Sequence, residues 1–188
     1  MNKLSLLGFL QDAPIDALSA MTMLGNEFEF EWYAAAVPAT KGKVYLKVTT
    51  PADKYTLVNF REVRMDQTRG WYRQYASTSF SGGTVTGTIT PVKMRGDSTV
   101  NSGGTFQIVK TPTITGPAFS AVPLWGAGGV GNRPQGGGLS QLGAFRVIPP
   151  GRQILLEFEN NSTNPAAWYA YFKQFELSEN AILQLAEL

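Results

Sequence analysis

The stretch NEFEFEWYAAA, residues 26–36, alternates strictly between aromatic and acidic side chains. One face of an extended chain carries the three aromatic residues Phe28, Phe30 and Trp32. The opposite face carries the three acids Glu27, Glu29 and Glu31. A period of two is typical of a β-strand with one buried face. The stretch therefore predicts a half-buried strand whose acidic face is solvated or protects a sheet edge.

The acidic face of this strand is also a candidate cation site or catalytic pair. Successive carboxylates on one strand face lie about 7 Å apart, and no acid elsewhere in the sequence is marked as a partner. We therefore favour the solvated face over the cation site.

From this strand to residue 177, short strand-like segments alternate with turn residues, as is typical of an all-β protein. Further strand-like segments rich in Val, Thr, Ile, Tyr and Phe occupy residues 43–51, 55–63, 70–77, 82–92, 105–116, 144–162 and 166–177. The segment 144–162 holds two strands joined at a Pro-Pro-Gly turn, so the pattern predicts roughly nine strands with almost no helix. The strand number and spacing predict a mainly β fold, an antiparallel β-sandwich or jelly roll.

The first 25 residues differ from this pattern. An apolar run, Leu4–Leu10, precedes Asp12 and Pro14, which suit the cap and first turn of a helix that ends before Gly25. We expect a short helix over Asp12–Leu24 preceded by an apolar arm. An arm this apolar has to be tied down, either on its own domain or on a neighbouring subunit.

The last residues, 178–188, form a second candidate tail. Ser178 can cap a short helix that carries Ile182, Leu183 and Leu185, or the segment is another docking tail. The sequence thus divides into an N-terminal arm (1–25), a β-sandwich domain (26–177) and a C-terminal tail (178–188).

The composition of the chain excludes several classes of function. The 188 residues carry 16 basic and 14 acidic side chains, and only 16% are charged, where about 25% is typical. The basic residues are scattered, which gives no support to a nucleic-acid partner. The sequence has no run of about 18 apolar residues, so it predicts no membrane-spanning helix and no membrane partner. Cys and His are both absent, which excludes thiolate nucleophiles, disulfides, Cys/His zinc sites and His-based proton relays.

One glycine motif imitates a cofactor loop. Gly126, Gly128 and Gly131 have the G-x-G-x-x-G spacing of a dinucleotide fingerprint. The preceding segment contains Pro123 and is a poor central strand, and a following helix would lose about 3 kcal/mol at Pro134. The first acid after the loop is Glu157, too far along to bind a ribose. We predict that this segment binds no cofactor and is a long loop that joins late strands of the fold. Trp125 at its start either makes a contact with a partner or is buried in the core.

Several other residues are candidates for a binding surface. Two aromatic groups could form a sugar-stacking platform or alternate into the core: Trp71, Tyr72 and Tyr75, and Trp168, Tyr169, Tyr171 and Phe172. Four arginines form a charged rim or a weak anion site: Arg61, Arg64, Arg69 and Arg73. Asn160 and Asn161 each begin an Asn-x-Ser/Thr motif, but turn residues are the favoured interpretation.

The order of segments resembles that of small structural proteins of tailed bacteriophages, of the auxiliary or decoration type. The clearest resemblance covers Ile148–Phe175, and a weaker one covers about Tyr55–Pro117. The residues that carry the clearer resemblance are Pro149, Pro150, Gly151, Glu159, Asn160 and Asn161. It implies a jelly-roll-like sandwich, assembly as a homo-oligomer, often a trimer, and binding to a capsid or tail surface.

These observations predict a non-enzymatic structural protein of a phage virion, made in the host cytoplasm. It would decorate or cement the capsid, or act as a vertex or tail adaptor, with major capsid or other virion proteins as partners. The alternatives are a receptor- or glycan-binding module of a phage tail, and a carboxylate-only hydrolase with two acids about 5–9.5 Å apart. Eight side chains are the candidate interface residues: Leu6, Leu7, Phe9, Leu10, Trp125, Arg133, Ile182 and Leu185.

Overall fold

A computed structural model describes residues 26–67, 69–94, 101–124 and 139–181 of the chain. Within these residues the fold is mainly β. Thirteen strands follow in chain order: β1 Glu27–Val37, β2 Gly42–Thr49, β3 Tyr55–Met65, β4 Gly70–Ala76, β5 Phe80–Ser81, β6 Thr84–Ile89, β7 Val92–Lys93, β8 Thr105–Lys110, β9 Thr113–Ile114, β10 Ser120–Leu124, β11 Leu139–Ile148, β12 Gln153–Asn160 and β13 Ala166–Leu177. A 3₁₀ turn at Ser77–Ser79 and a helical turn at residues 179–181 are the helical elements of this part of the chain.

The long strands form two antiparallel sheets. The five-stranded sheet has the order β11-β3-β13-β1-β7, and the six-stranded sheet has the order β10-β4-β12-β2-β8-β6. We call the eight strands β1–β4 and β10–β13 the principal strands. Among them the first pairs with the last (β1 with β13), the second with the seventh (β2 with β12), the third with the sixth (β3 with β11) and the fourth with the fifth (β4 with β10). Consecutive strands β12 and β13 consequently lie inside opposite sheets.

A continuous apolar core holds the two sheets together as a β-sandwich. The five-stranded sheet contributes Phe30, Trp32 and Trp168, and the six-stranded sheet contributes Tyr72 and Phe158. The Trp32 and Trp168 rings contact the Phe158 ring edge-on, with centroids 5.0 and 5.4 Å apart. Such aromatic contacts between facing sheets add stabilisation beyond the area they bury. The prediction that the aromatic face of residues 26–36 is buried is confirmed.

Prolines account for two of the four strands by which the structure exceeds the nine predicted from sequence. The segment 82–92 is divided into β6 and β7 at Pro91, and the segment 105–116 is divided into β8 and β9 at Pro112. Proline has no N–H to donate to a ladder, so it interrupts pairing. The segment containing Pro123 does form a strand, β10, but at the edge of its sheet, where a missing donor is tolerated.

A small ribbon covers part of the outer face of the six-stranded sheet. Strands β5 and β9 pair through Phe80 and Ile114. Phe80 packs with three outward-facing side chains of the sheet, Tyr75, Val109 and Leu155, in a second apolar cluster. Because the ribbon shields Leu155 completely from solvent, strand β12 is apolar on both faces at this point.

The acidic face of β1 departs from the sequence-based expectation at one end. Glu31 is exposed, as expected for a solvated face, but Glu27 is 7% exposed and therefore buried. Residues 174–177 of the neighbouring strand β13 are all buried, so both faces of the sheet are covered there. Strand β7 also pairs along the start of β1, between Phe28 and Lys93. The expectation of a uniformly solvated face is therefore wrong for Glu27.

Gly70, the first residue of β4, lies where no larger residue fits. A Cβ atom there would lie 2.6 Å from Met65 Sδ, 2.7 Å from Trp168 Cζ2 and 2.8 Å from the Glu159 carbonyl oxygen. We expect Gly70→Ala to lower the free energy of unfolding by about 1–3 kcal/mol, since overpacking forces core shifts of this cost. Urea denaturation measures the change. Gly87→Ala in the edge strand β6 is the matched control, because its Cβ would meet only the flexible Ile108 side chain at 3.3 Å, and an equal loss in both variants would contradict the account.

Candidate functional site

One end of the sandwich is organised around the buried side chain of Asn160. Its Nδ2 donates to the carbonyl oxygens of Val37 and Pro38, both at 3.1 Å, and of Asn164 at 2.8 Å. Its Oδ1 accepts from the backbone N–H and the hydroxyl of Ser162, at 3.0 and 2.5 Å. The amide thereby ties the β1–β2 turn to the β12–β13 turn. Asn160 is the last residue of β12 rather than the turn residue that the sequence predicted, whereas Asn161 lies in the connection between β12 and β13, as predicted. The fully used side chain of Asn160 is closed to glycosylation.

Removal of this amide leaves several carbonyl groups without a donor. We expect Asn160→Ala to lower the free energy of unfolding by at least about 1–3 kcal/mol, the cost of leaving buried polar groups unsatisfied. Asn164→Ala is the matched control, since Asn164 is exposed and the turn uses its backbone carbonyl, which the substitution keeps. Thermal unfolding of both variants measures the difference, and wild-type stability of Asn160→Ala would refute the role of the amide.

The outer face of the six-stranded sheet holds a compact network of two cations and two carboxylates. Glu157 is fully buried on β12, and Glu159 lies two residues further on the same face. Lys43 Nζ on β2 lies 3.2 Å from Glu157 Oε2 and 3.2 Å from Glu159 Oε2. Arg73 Nη1 on β4 donates to Glu157 Oε1, and to Glu159 Oε2 at 2.7 Å. Each cation therefore bridges both carboxylates.

Strand register explains how the network assembles. Glu159 lies opposite Lys43 on β2, and Glu157 lies opposite Arg73 on β4. Side chains directly opposite each other on one face of antiparallel strands are in contact range. Burial of charged groups is costly unless they are paired and hydrogen-bonded, and here each carboxylate receives a cation from both sides.

The network shifts the pKa values of its members. Burial alone would raise the pKa of Glu159, but hydrogen bonds from Arg73 and Lys43 outweigh it and hold the pKa below its ordinary value. The pKa of Lys43 is raised, since attraction to the two carboxylates exceeds the effect of its burial. Burial, with the negative charge of Glu157, raises the pKa of Tyr45 to about 12. Glu159 is therefore held as the carboxylate.

The lowered pKa of Glu159 makes stability depend on pH. A carboxylate with a folded pKa below its unfolded value stabilises the fold fully above the unfolded pKa, near 4.5, and this stabilisation is lost as pH falls through the folded pKa. We expect the free energy of unfolding, measured by urea denaturation from about pH 7 to about pH 3, to fall less steeply for Glu159→Gln than for the wild type. Asp53→Asn at an exposed turn position is the control. A Glu159→Gln profile parallel to that of the wild type would count against the network.

A pocket of about 430 Å³ opens beside this network, at the Asn160 end of the sandwich. Its polar lining consists of Thr40, Lys41, Arg69, Glu159 and Asn161. Its apolar lining consists of Gly70, Trp71, Pro123 and Leu124. These residues come from the β1–β2 turn, the β3–β4 turn with the start of β4, the end of β10, and the end of β12 with the residue that follows. The pocket thus joins four separate parts of the sequence.

The β1–β2 turn enters the pocket in a strained conformation. Thr40 and Lys41 have φ values of 55° and 68°, in the left-handed region that non-glycine residues rarely occupy. The backbone N–H of Thr40 donates to the Ser162 carbonyl at 3.0 Å, and that of Lys41 donates to the Asn160 carbonyl at 2.7 Å. Strain of this kind persists only where the surrounding structure imposes it, and here the β12–β13 turn does so.

The structure divides the predicted aromatic platform between core and surface. Tyr72, Trp168 and Phe172 are buried in the core between the sheets, as the strand period predicted, whereas Tyr75 faces outward and is buried beneath the β5–β9 ribbon. Trp71, Tyr169 and Tyr171 are half-buried and face outward. The two tyrosines donate to Glu31 and Glu29 on the five-stranded sheet, whereas Trp71 faces the pocket on the other sheet. The seven aromatic residues therefore do not form one platform.

The predicted arginine rim is also divided. Arg64 pairs with Glu62 on the outer face of the five-stranded sheet, whereas Arg73 belongs to the buried network and Arg69 lines the pocket. The side chain of Arg61 lies outside the described residues. Sequence reasoning missed Lys43, Glu157 and Glu159 as a group with Arg73. The available signal was Glu-x-Glu inside the apolar strand QILLEFEN, which is unusual for a buried strand.

The candidate interface residues lie outside the described part of the chain. This applies to all eight: Leu6, Leu7, Phe9, Leu10, Trp125, Arg133, Ile182 and Leu185. The predicted N-terminal helix and the glycine motif also lie outside it. The cap predicted at Ser178 is present, because its hydroxyl accepts the Ala181 N–H at 3.2 Å.

Comparison with known proteins does not assign the chain to a family. No family model matches the sequence, and neither does any curated protein. Within the described residues, no group of three or more carboxylates is placed to hold a metal ion. No helix in the same part of the chain is long and apolar enough to cross a membrane.

Proposed function

We propose that the chain is a non-enzymatic structural subunit of a phage virion, which assembles with copies of itself and decorates or cements the capsid or acts as a vertex or tail adaptor. The observation that carries the proposal is the pairing of principal strands first with last, second with seventh, third with sixth and fourth with fifth. Such pairing is expected of a long antiparallel hairpin rolled into two sheets and supports a jelly-roll topology, which occurs in viral capsid domains as well as in lectin domains and cupins. The resemblance of Ile148–Phe175 to phage auxiliary proteins supports the same conclusion.

The edges of the sandwich support self-association. Strands β6 and β7 end their respective sheets, and they lie on the same side because β6 also contacts β1. Val92 on β7 is 60% exposed and Tyr33 on β1 is 64% exposed. Val92 pairs with Glu29, so both side chains lie on the outer face of the five-stranded sheet. Exposed edge strands with apolar side chains are ready sites for pairing with another chain. We define these two residues as the edge patch and infer that it is covered in a homo-oligomer, which a trimer would satisfy.

The ionisation of Glu159 supports a non-enzymatic role. A polysaccharide hydrolase that uses two carboxylates needs one of them as a general acid with a raised pKa. Glu159, the acid that lines the pocket, has a lowered pKa, and it shares both its cations with Glu157. Glu159 is therefore unsuited to the role of general acid at this pocket.

Light scattering of the full-length chain tests the self-association. We expect a mass near three times that of the 20.4 kDa chain, and a shift toward the monomer for Val92→Glu, since a buried unpaired charge opposes assembly. Ile114→Glu is the control, because Ile114 is 36% exposed on β9, away from the edge patch. A monomeric wild type at all concentrations would contradict the oligomer. Absence of the chain from purified virus particles, by mass spectrometry, would contradict the virion role.

A further inference from the structure

We propose that the pocket at the Asn160 end binds an acidic saccharide, with the sugar ring packed on Trp71 and its carboxylate paired with Lys41 and Arg69. This binding activity goes beyond the structural role and does not depend on it. The volume of about 430 Å³ lies within the range of small-molecule sites, and it suits one or two sugar rings.

The aromatic wall of the pocket is fixed before any ligand arrives. The Arg73 guanidinium carbon lies 5.2 Å from the centre of the Trp71 ring, and Arg73 is itself held by Glu157 and Glu159. The indole of Trp71 is thus held by contacts to Arg73 on its own strand, which is in turn fixed by the two glutamates of β12. Because the ring is already ordered, little further conformational entropy is lost when it binds a ligand. Its apolar surface beside a polar rim matches a sugar ring, which is apolar on its C–H faces and polar at its edges.

The polar lining supplies hydrogen-bond partners for sugar hydroxyl groups. Glu159 contributes a carboxylate and Asn161 contributes an amide, which provides both donors and an acceptor. Both side chains line the same pocket, and interaction with Asn161 contributes to the lowered pKa of Glu159. Fixed polar groups beside an apolar wall are the usual arrangement in ligand pockets.

The charge of the pocket favours an acidic sugar over a neutral one. Lys41 and Arg69 line the pocket beside Glu159, and Lys43 and Arg73 already neutralise Glu159 and Glu157 from behind. The lining of the pocket therefore carries two cations and one carboxylate. An arginine and a lysine together are suited to a carboxylate.

The conformation of Lys41 gives independent support. A turn at φ 68° is most easily made with glycine, yet the chain has lysine there, and the backbone is held in place by the Asn160 carbonyl at 2.7 Å. Strained non-glycine residues cluster at ligand sites, where the side chain has to be presented in one direction. We infer that a lysine occupies this position because its positive charge serves the pocket.

An NMR titration of the full-length protein tests the proposal. The probes are 3′-sialyllactose and trigalacturonate, with lactose as the neutral reference. The chain has four tryptophans, and Trp71→Phe identifies the Trp71 indole N–H signal. We expect at least one of the two acidic saccharides to shift the Trp71 signal while the signal of the buried Trp168 stays in place. We expect lactose to bind at least about tenfold more weakly than that acidic saccharide.

Charge variants separate this site from general attraction to a basic protein. Lys41→Asn keeps a residue that tolerates the left-handed region, and we expect it to weaken binding by about tenfold. Lys110→Asn, at an exposed position on β8, is the matched control and should bind as the wild type does. The proposal fails if neither acidic saccharide moves the Trp71 signal, if lactose binds equally well, or if both variants lose affinity equally. Such a failure would leave the virion role intact, because that role is tested by assembly and particle content.

Discussion

The crossing from β12 to β13 is the constraint on which the rest of the structure depends. These consecutive strands lie inside opposite sheets, so residues 161–165 have to carry the chain from one layer of the sandwich to the other. The buried Asn160 amide makes that crossing possible, because it satisfies the carbonyl groups of both the β1–β2 turn and the β12–β13 turn. Every other strand of the two sheets except β6 then pairs, directly or through one neighbour, with β12 or β13.

The same crossing builds the pocket. The β12–β13 turn holds Thr40 and Lys41 in their strained conformation, and β12 presents Glu157 and Glu159 on the face that Lys43 and Arg73 reach from neighbouring strands. The ion network consequently links β2, β12 and β4, and the Arg73 contact with Trp71 extends it to the pocket wall. Stability and the candidate binding surface thus share the same residues, so substitutions in the network should affect both.

Much of the sandwich could be predicted from sequence, because strand burial is a local pattern. The alternation at residues 26–36 located β1, the Pro-Pro-Gly turn separated β11 from β12, and the aromatic period of residues 166–177 located β13. The ion network could not be predicted in the same way. Glu157 meets partners 114 and 84 residues away in sequence, so its burial depends on strand order, which no local pattern contains. The pocket was missed for the same reason, although Trp71, Arg69 and Asn161 had each been noted separately.

Amide hydrogen exchange measured strand by strand tests the central claim most directly. Strands at the centre of a cooperative unit exchange only through global unfolding, whereas edge strands exchange through local opening. The account predicts that the paired amides of β12 and β13 exchange last and at a common rate, and that those of the edge strand β6 exchange first. Exchange of β12 or β13 as fast as that of β6, or unfolding of the two strands in separate steps, would contradict the claim that their crossing organises the fold.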